Sequence, residues 1–413
     1  MSSSHHLETL LVHGGESPEK STGASTTPVF QSSSFAQETA EDLEQIFSGR
    51  KFGYIYTRNG NPTVTALELK MTLLEGGRGS VATSSGMAAI AATAMTLAGE
   101  GDEIVAGRSL FGGTYGLLAQ TLPQYGMQTR FVNASEPSAY RDALTEKTRF
   151  IFAETMGNPR LDVPDLKAIS KVAKEAHIPF VVDSTVTTPV LIKPREFGAD
   201  IVIHSTTKYL NGHGNSIGGI LVDCGTFGWQ DHPGFDEQAR RYGEFAFLAR
   251  LREGVFQDFG VCLSPLNAFL TLMGIQTLSL RMKKHCHNTE ALVKALKDHP
   301  AIEELRYPGL PESKEFPLAK EQFGGRFGAI FTFRLGTKER CFQFINNLSL
   351  ALNLANIGDT KTLVLHPAST IFRQFLPEEK TNMGVTEDLI RVCVGIEAEE
   401  DLLNDFRKAL DAL

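Results

Sequence analysis

Cysteine is scarce in this chain of 413 residues, and its few copies are not spaced for disulfides. Their number is odd and no C-x-x-C pair occurs; the five positions are Cys224, Cys262, Cys286, Cys341 and Cys393. Scattered, reduced thiols are typical of cytoplasmic proteins, so we expect a cytoplasmic location. In the "HCH" at 285–287, neighbouring helix positions point in different directions, which favours a structural role over a metal site.

An excess of positive charge is also missing. The chain has 40 Lys and Arg against 48 Asp and Glu, a formal net charge of −8. No basic run and no interleaving of basic and aromatic residues occurs. Because binding to a phosphate backbone relies on clustered positive charge, we expect no nucleic-acid partner. Small molecules are the favoured ligands.

Long apolar runs are absent as well. The longest, "MAAIAATAMTLA" at 87–98, is shorter than the roughly 20 residues that span a bilayer. The first residues, "MSSSHHLETLLVHGG", contain no apolar core of a signal peptide. We therefore expect neither secretion nor a membrane partner.

The chain does contain enough apolar material for a large core. Hydrophobic residues make up 42% and charged residues 21%, which predicts two or three domains. Residues 1–61 are polar without periodicity and predict an arm that becomes ordered against another surface. In 62–260, helical and β-branched stretches alternate, which predicts a large α/β domain with a mostly parallel sheet. For 261–413, we predict a smaller α/β domain that begins with a long helical pattern at 265–299.

Side chains that could carry out chemistry end or follow two of the predicted strands. "PFVVD" ends at Asp183, and "DIVIH" ends just before Ser205, Thr207 and Lys208. In open parallel sheets, functional groups gather at these strand ends. Taken singly, the Asp is more typical of a helix cap and the Lys of a surface charge. Together, the amine, the carboxylate and the hydroxyls match the needs of pyridoxal phosphate.

A second stretch, "TSSGMAAIAATAMTLA", predicts a turn that opens into a helix. Ser85, Gly86 and Met87 stand at the predicted N-terminus, where free N–H groups favour an anion. The alternative is an ordinary N-cap on a packed, Ala-rich helix. The G-x-x-x-x-G-K-[ST] loop and a G-x-G-x-x-G after a strand are both missing, which disfavours kinase, ATPase and dinucleotide-binding functions.

An ordered series of motifs resembles the pyridoxal-phosphate enzymes of cysteine and methionine metabolism. The resemblance runs from about residue 7 to the end, and its motifs are "YTRNGNPT", "SSGMAAI", "LFGGTY", "ETMGNP", "VVDST", "HSTTKYLNGHG", "GDTKTLVLHPAS" and "LIRVCVGIE". It implies a PLP-dependent transferase fold of type I, with a mostly parallel seven-stranded central sheet and a smaller C-terminal α/β domain. It also implies a homotetramer, a dimer of active dimers.

The resemblance assigns roles around the cofactor. Lys208 is expected to form the Schiff base and then to carry protons, and Asp183 to pair with the pyridine nitrogen. Residues expected at the cofactor phosphate are Ser85, Gly86, Met87, Ser205 and Thr207. Tyr56 and Arg58 are expected to reach the phosphate of a neighbouring subunit's cofactor, and Tyr56 is also a candidate proton donor.

Three further residues are expected at the substrate. Arg391 would clamp the α-carboxylate, because a planar fork of donors suits a carboxylate. Asn158 would contact the ring hydroxyl or the same carboxylate, and Asn356 would lie near the clamp. Without the resemblance, Arg391 would be interpreted as a charge on an exposed strand face.

The sequence departs from the family pattern at two places. Phe111 stands where Tyr is common, so a ring is kept to stack on the cofactor but its hydroxyl is lost. After "HPAST", many relatives continue with Thr-His, whereas this chain continues with "IFRQF".

Within the family, "GHGNSIGG" and "NIGDTKTL" are most similar to O-acetylhomoserine sulfhydrylases. The expected reaction is γ-replacement, in which sulfide or another sulfur donor takes the place of the acyl group and sulfide gives homocysteine. Alternatives within the family are O-succinylhomoserine sulfhydrylase, cystathionine γ-synthase and methionine γ-lyase. A non-catalytic PLP-binding homologue is the alternative from another class.

Overall fold

The computed structural model describes residues 5–413. The helices are α1 (Leu7–His13), α2 (Ala40–Phe47), α3 (Pro62–Glu75), α4 (Gly86–Leu97), α5 (Gly112–Gly116), α6 (Pro137–Asp142), α7 (Leu166–Glu175), α8 (Thr188–Leu191), α9 (Asp236–Tyr242), α10 (Ala246–Leu251), α11 (Gln257–Phe259), α12 (Pro265–Gln276), α13 (Leu278–Leu296), α14 (Phe316–Gln322), α15 (Lys338–Asn347), α16 (Pro377–Asn382) and α17 (Glu399–Asp411). The strands are β1 (Gly79–Thr83), β2 (Glu103–Gly107), β3 (Gln128–Val132), β4 (Thr148–Glu154), β5 (Phe180–Asp183), β6 (Ile201–His204), β7 (Gly219–Asp223), β8 (Glu304–Arg306), β9 (Ile330–Arg334), β10 (Leu352–Asn353), β11 (Leu363–Leu365) and β12 (Leu389–Cys393).

The larger sheet has seven strands in the order β1-β7-β6-β5-β4-β2-β3. The pairs from β6 through β3 are parallel, and β7 runs antiparallel to both β1 and β6. This is the predicted mostly parallel, seven-stranded sheet. Parallel neighbours place their carboxyl ends at one edge, so Glu154 at the end of β4 lies in register with Asp183 at the end of β5.

The crossover helix between β4 and β5 shows why the alternating pattern folds in this way. In α7, Ile169 and Val172 are buried while the lysines of the opposite face are exposed. Asp165 caps the helix by accepting the Ala168 N–H at 2.9 Å. The apolar face covers one side of the sheet, and the buried strands need no polar alternation.

The second sheet has five strands in the order β10-β11-β12-β9-β8. Before it, the predicted long helix at 265–299 is divided into α12 and α13 at Thr277, whose φ of −103° and ψ of 6° leave the helical range. A contact distant in sequence explains the division. The Arg281 guanidinium donates to Gly274 O at 2.7 Å and to Tyr209 O at 2.8 Å, which joins the helix break to the loop after β6.

The N-terminal residues divide into two parts. Leu10 and Leu11 of α1 are buried in the core, and the Lys70 amine donates to Leu11 O at 2.9 Å. Residues 7–14 therefore pack on the body of their own chain, although the sequence predicts that they belong to the arm. The reason is that the apolar side chains of Leu10 and Leu11 give helix α1 a face that is buried in the core. No residue from 15 to 60 is buried.

The two histidines of the "HCH" stretch face different surroundings. His285 is buried with Nδ1 at 2.7 Å from Val394 O, while exposed His287 lies 2.8 Å from Glu399. Within 5–413, no group of His, Cys, Asp and Glu side chains is arranged to hold a metal ion. No helix in the described part of the chain is both long enough and apolar enough to cross a bilayer.

Candidate active site

A cavity of about 300 Å³ opens where β4, β5 and β6 end. Loops of the second sheet close its other side, at Asn356 and Arg391. Most of the residues expected from the sequence line it: Ser85, Gly86, Met87, Phe111, Asn158, Asp183, Ser205, Thr207, Lys208, Asn356 and Arg391. The structure thus brings together groups from six of the eight family motifs, and from "NIGDTKTL", that are far apart in sequence.

Lys208 lies in the turn that follows β6. Its amine donates to Asn356 Oδ1 at 2.5 Å. Burial, with a contribution from the Arg391 charge, lowers the pKa of Lys208 to about 8. At neutral pH, roughly a tenth of the amine is therefore unprotonated, far more than for an exposed lysine.

Two carboxyl groups line the same cavity as this amine. Asp183 Oδ1 accepts the Thr185 N–H at 2.8 Å, and burial raises the pKa of Asp183 despite this bond. Glu154 accepts the Phe111 N–H at 2.7 Å. Burial, and next the charge of Asp183, raise the pKa of Glu154 well above its ordinary value.

Glu154 was not among the residues expected from the sequence, although it stands in the "ETMGNP" motif. Thr114, Thr185 and Ile371 also line the cavity and were not expected there. A signal that could have found Glu154 was available, because the β-branched and aromatic run "TRFIFAE" at 148–154 ends at Glu154 just as "PFVVD" ends at Asp183. Strand order and register, which put the two side by side, are not readable from the sequence alone.

The N-terminus of α4 forms the small-residue part of the cavity. Ser85 caps the helix, with Oγ accepting the Ala88 N–H at 3.1 Å. The N–H groups of Gly86 and Met87 belong to the first turn and have no acceptor within the helix. A Cβ atom on Gly86 would lie 2.6 Å from Ser205 Cβ, so only glycine lets these two segments approach. This arrangement suits an anion.

Arg391 reaches the cavity from β12 of the second sheet. It is buried, with Nη1 donating to Asn158 Oδ1 at 3.2 Å and Nη2 to Asn356 O at 3.0 Å. Burial lowers the pKa of Arg391 to about 10. Among the described residues no carboxylate forms an ion pair with it, which leaves its charge available to a ligand.

The remaining wall is largely apolar. Phe111 is partly exposed at the start of α5, and the buried Thr114 hydroxyl has no hydrogen-bond partner among the described residues. In the departing "IFRQF" stretch, Ile371 lines the cavity, whereas Phe372 is fully buried and packs towards Gly112. The departure therefore makes the wall near Phe111 more apolar.

Tyr56 and Arg58 do not join this group within the chain. Arg58 Nη1 donates to Gln257 O at 2.7 Å, and its guanidinium lies 5.6 Å from the centre of the Tyr56 ring. Tyr56 is 45% exposed and does not line the cavity. Any role of the two at a cofactor must involve a different copy of the chain.

Comparison with known proteins decides the family. A family model described as Cys/Met metabolism PLP-dependent enzyme matches residues 8–411. The chain belongs to this family. The predicted family, fold class and cofactor, pyridoxal phosphate, are thereby confirmed.

Individual members of the Cys/Met metabolism family match over nearly the whole chain. An O-acetyl-L-homoserine sulfhydrylase of Leptospira meyeri is 41% identical, over 98% of this chain and 96% of its own. A homocysteine synthase of Schizosaccharomyces pombe is 39% identical, over 99% of both. A solved structure of an O-acetylhomoserine (thiol)-lyase from Campylobacter jejuni, which carries a pyridoxyl-lysine, has a TM-score of 0.94 at 30% identity and covers 98% of this chain and all of its own.

The cavity suits the cofactor of the Cys/Met metabolism family. An amine, a carboxylate, an anion-binding helix start and an aromatic ring are the groups that pyridoxal phosphate requires, and Lys208, Asp183, Gly86 and Phe111 provide them in one cavity. The free N–H groups and the Gly86–Ser205 approach fit a phosphate, and the unpartnered Thr114 hydroxyl is available to a bound group.

Proposed function

We propose that this enzyme replaces the acetyl group of O-acetylhomoserine with sulfide and so forms homocysteine. The observation that carries the proposal is that two groups line the same cavity. One is an amine of lowered pKa, Lys208, and the other is a buried guanidinium without an ion-pair partner, Arg391. The names of the Leptospira and Schizosaccharomyces relatives support the choice of this activated homoserine.

Arg391 is proposed to bind the α-carboxylate of the substrate. Its present partners, Asn158 Oδ1 and Asn356 O, are neutral acceptors, so they orient the guanidinium without cancelling its charge. A carboxylate that accepts two parallel N–H groups is held in position and orientation. The α-carbon is then placed towards Lys208, which Asn356 also contacts.

When bound, pyridoxal phosphate would supply an aldehyde that condenses with amines and a ring that withdraws electrons from the adjoining carbon. Asp183 is proposed to stabilise a proton on the ring nitrogen, and Gly86, Met87, Ser205 and Thr207, beside Ser85, to hold the phosphate. Lys208 is proposed to accept the α-proton and later a β-proton. The γ C–O bond then breaks as acetate leaves with the electron pair, and a C–S bond forms when hydrosulfide adds at the γ-carbon. Lys208 is proposed to return the protons to the β-carbon and the α-carbon, which gives homocysteine.

The charges of the cavity support acetyl and sulfide over larger, charged reactants. Its lining includes two cations, Lys208 and Arg391, together with Glu154 and Asp183. Arg391 is assigned to the α-carboxylate and Lys208 to the cofactor, so the second carboxylate of an O-succinyl group or of a cysteine nucleophile would meet no free cation of the cavity, and an unpaired buried charge is costly. Hydrosulfide or a small alkyl thiol carries no such group and fits beside Ile371.

The part of the arm at 15–60 is proposed to contact a neighbouring subunit. None of its residues is buried, and large apolar side chains such as Phe47 and Phe52 are 69% and 82% exposed. Tyr56 and Arg58 are proposed to reach the neighbour's cofactor phosphate, with Tyr56 as a proton donor. We further propose a homotetramer built from two active dimers. In each subunit, residues 62–260 would form the domain that holds the cofactor, and residues 261–413 the domain that closes the cavity. The proposed location is the cytoplasm.

The experiment that tests the activity uses the purified enzyme with O-acetylhomoserine and sulfide, and measures homocysteine and acetate. Parallel reactions replace the first substrate with O-succinylhomoserine, sulfide with cysteine, or both with methionine. Equal or faster turnover of O-succinylhomoserine or of cysteine would favour the corresponding alternatives. Release of 2-oxobutanoate from methionine at a comparable rate would favour a γ-lyase, and cofactor binding without any turnover would favour a non-catalytic homologue.

A further inference from the structure

Two acidic residues end neighbouring parallel strands and face the same cavity. Glu154 on β4 and Asp183 on β5 are partners in the sheet register. Adjacent strands are about 4.8 Å apart, and the charge of Asp183 raises the pKa of Glu154, so the two carboxyl groups are close enough to interact. Two carboxylates this close in a low-dielectric site do not both ionise at neutral pH, and one keeps a proton.

The hydrogen bonds indicate which residue keeps it. Asp183 Oδ1 accepts the Thr185 N–H at 2.8 Å, and the Thr185 hydroxyl also stabilises its charge. Glu154 has the single N–H of Phe111, at 2.7 Å. Bonds to a carboxylate favour its charged form, so the charge belongs to Asp183 and the proton to Glu154.

The other charged groups around the pair support the same division. On β6, His204 acts on Asp183 and lowers its pKa, and it is not among the influences on Glu154. The helices α4 and α5 bring no charged side chain. The cavity cations Lys208 and Arg391 are not among the influences on Glu154, whose pKa is raised well above its ordinary value by burial and by the charge of Asp183.

We propose that Glu154 is a positioning residue that works as an uncharged acid. It tethers the backbone of Phe111 and so fixes where α5 begins and where the Phe111 ring lies over the cofactor. By remaining neutral, it leaves Asp183 as the one negative charge available to the ring nitrogen. The inference concerns the cofactor rather than the choice of substrate, so it does not depend on the proposed sulfur chemistry.

The test compares Glu154→Gln with Glu154→Ala and Asp183→Asn. Glutamine keeps the acceptor for the Phe111 N–H and has no charge, so cofactor affinity and the pH titration of cofactor absorbance should match the unmodified enzyme. Alanine removes the tether, so cofactor affinity should fall about five- to tenfold, the effect of one hydrogen bond, and the circular dichroism of the cofactor band should change. Asp183→Asn should weaken binding and shift the titration.

A second measurement uses the cofactor-free protein and does not depend on turnover. At neutral pH, the infrared difference spectrum between the unmodified protein and Glu154→Gln should show the loss of one C=O band of a protonated carboxylic acid. The proposal is overturned if Glu154→Gln impairs cofactor binding as severely as Asp183→Asn, or if the difference spectrum shows no loss of an acid band. Unchanged cofactor circular dichroism in a folded Glu154→Ala variant would exclude the tether.

Discussion

The Lys208 amine and the Asn356 amide meet between the two sheets, with Nζ donating to Oδ1 at 2.5 Å. Asn356 lies between β10 and β11, and its carbonyl oxygen accepts an N–H from Arg391 at 3.0 Å. One residue of a loop between strands of the second sheet therefore touches both the amine and the proposed substrate clamp. Relative movement of the sheets would disturb both at once, which couples closure of the cavity to alignment of its reactive groups.

Lys208→Ala should abolish homocysteine formation while the fold survives, because no other lysine lines the cavity. Borohydride treatment of the unmodified enzyme, followed by peptide mass spectrometry, should find the cofactor on the Lys208 peptide. Lys171→Ala, an exposed lysine of α7, is the control and should be fully active. Wild-type turnover in Lys208→Ala, or labelling of a different lysine, would refute the assignment.

The lowered pKa of Lys208 also predicts a pH-dependent stability of the cofactor-free protein. The unfolded chain holds this proton up to about pH 10.4, whereas the folded chain releases it near pH 8. Between these values the unfolded state binds more protons, so the contribution to stability rises with pH. Below pH 8, the buried charge costs the folded state on the order of 3 kcal/mol.

Lys208→Met should therefore stabilise the cofactor-free protein most at pH 7, and this gain should shrink as the pH rises through 8 towards 10. Urea unfolding of both proteins across this range measures the difference in the free energy of unfolding. Lys171→Met provides the matched comparison and should show no such trend. A difference between Lys208→Met and the unmodified protein that is constant with pH would mean that the amine is not held in a desolvated site.

Some of this site could be predicted from the sequence, and the rest depends on contacts distant along the chain. Asp183 and Lys208 could be identified from the sequence because each stands at or just after the end of a β-branched strand within a specific motif. Glu154 carries the same local signal, but its meaning comes from its register with Asp183 on a neighbouring strand. The break at Thr277 was missed because its cause is the bond from Arg281 to a loop about seventy residues earlier.

Arg58→Ala should weaken cofactor retention without changing the fold of the single chain. If Arg58 serves a neighbour's phosphate, the loss of one charge-assisted hydrogen bond costs about 1.5–3 kcal/mol. Equilibrium dialysis measures the cofactor affinity, and analytical ultracentrifugation measures the oligomeric state. Arg50→Ala is the control. Arg50 lies in the same arm, is exposed and contacts Glu44 at 3.6 Å, so its replacement should leave cofactor retention unchanged. A fully active monomer would contradict the shared site.

Arg391→Lys keeps the charge but loses the planar fork of donors. Apparent substrate affinity should fall about ten- to a hundredfold, the equivalent of one lost charged hydrogen bond, while cofactor affinity stays nearly constant. Steady-state kinetics gives the KM for the substrate, and cofactor titration gives the cofactor affinity. Equal losses of substrate and cofactor affinity, or none in either, would count against a carboxylate clamp.

The phenyl ring of Phe111 limits which leaving groups this cavity can expel. Acetate is the anion of an acid with pKa near ~4 and leaves without a proton, whereas a thiolate, with pKa near ~8.5, benefits from a general acid. Phe111 offers no hydroxyl, and within the chain Tyr56 does not line the cavity. We therefore expect efficient replacement on O-acetylhomoserine and poor elimination from methionine.

Phe111→Tyr should raise the elimination more than the replacement, because only the former needs a proton at the leaving group. Phe111→Leu is the control: it removes the ring without adding a hydroxyl, so both reactions should slow together. Release of 2-oxobutanoate from methionine is measured beside homocysteine formation from O-acetylhomoserine and sulfide. Comparable rates of the two in the unmodified enzyme would show that another group supplies the proton. The proposed donor would then be Tyr56 of a neighbouring subunit, and Tyr56→Phe should abolish the elimination selectively.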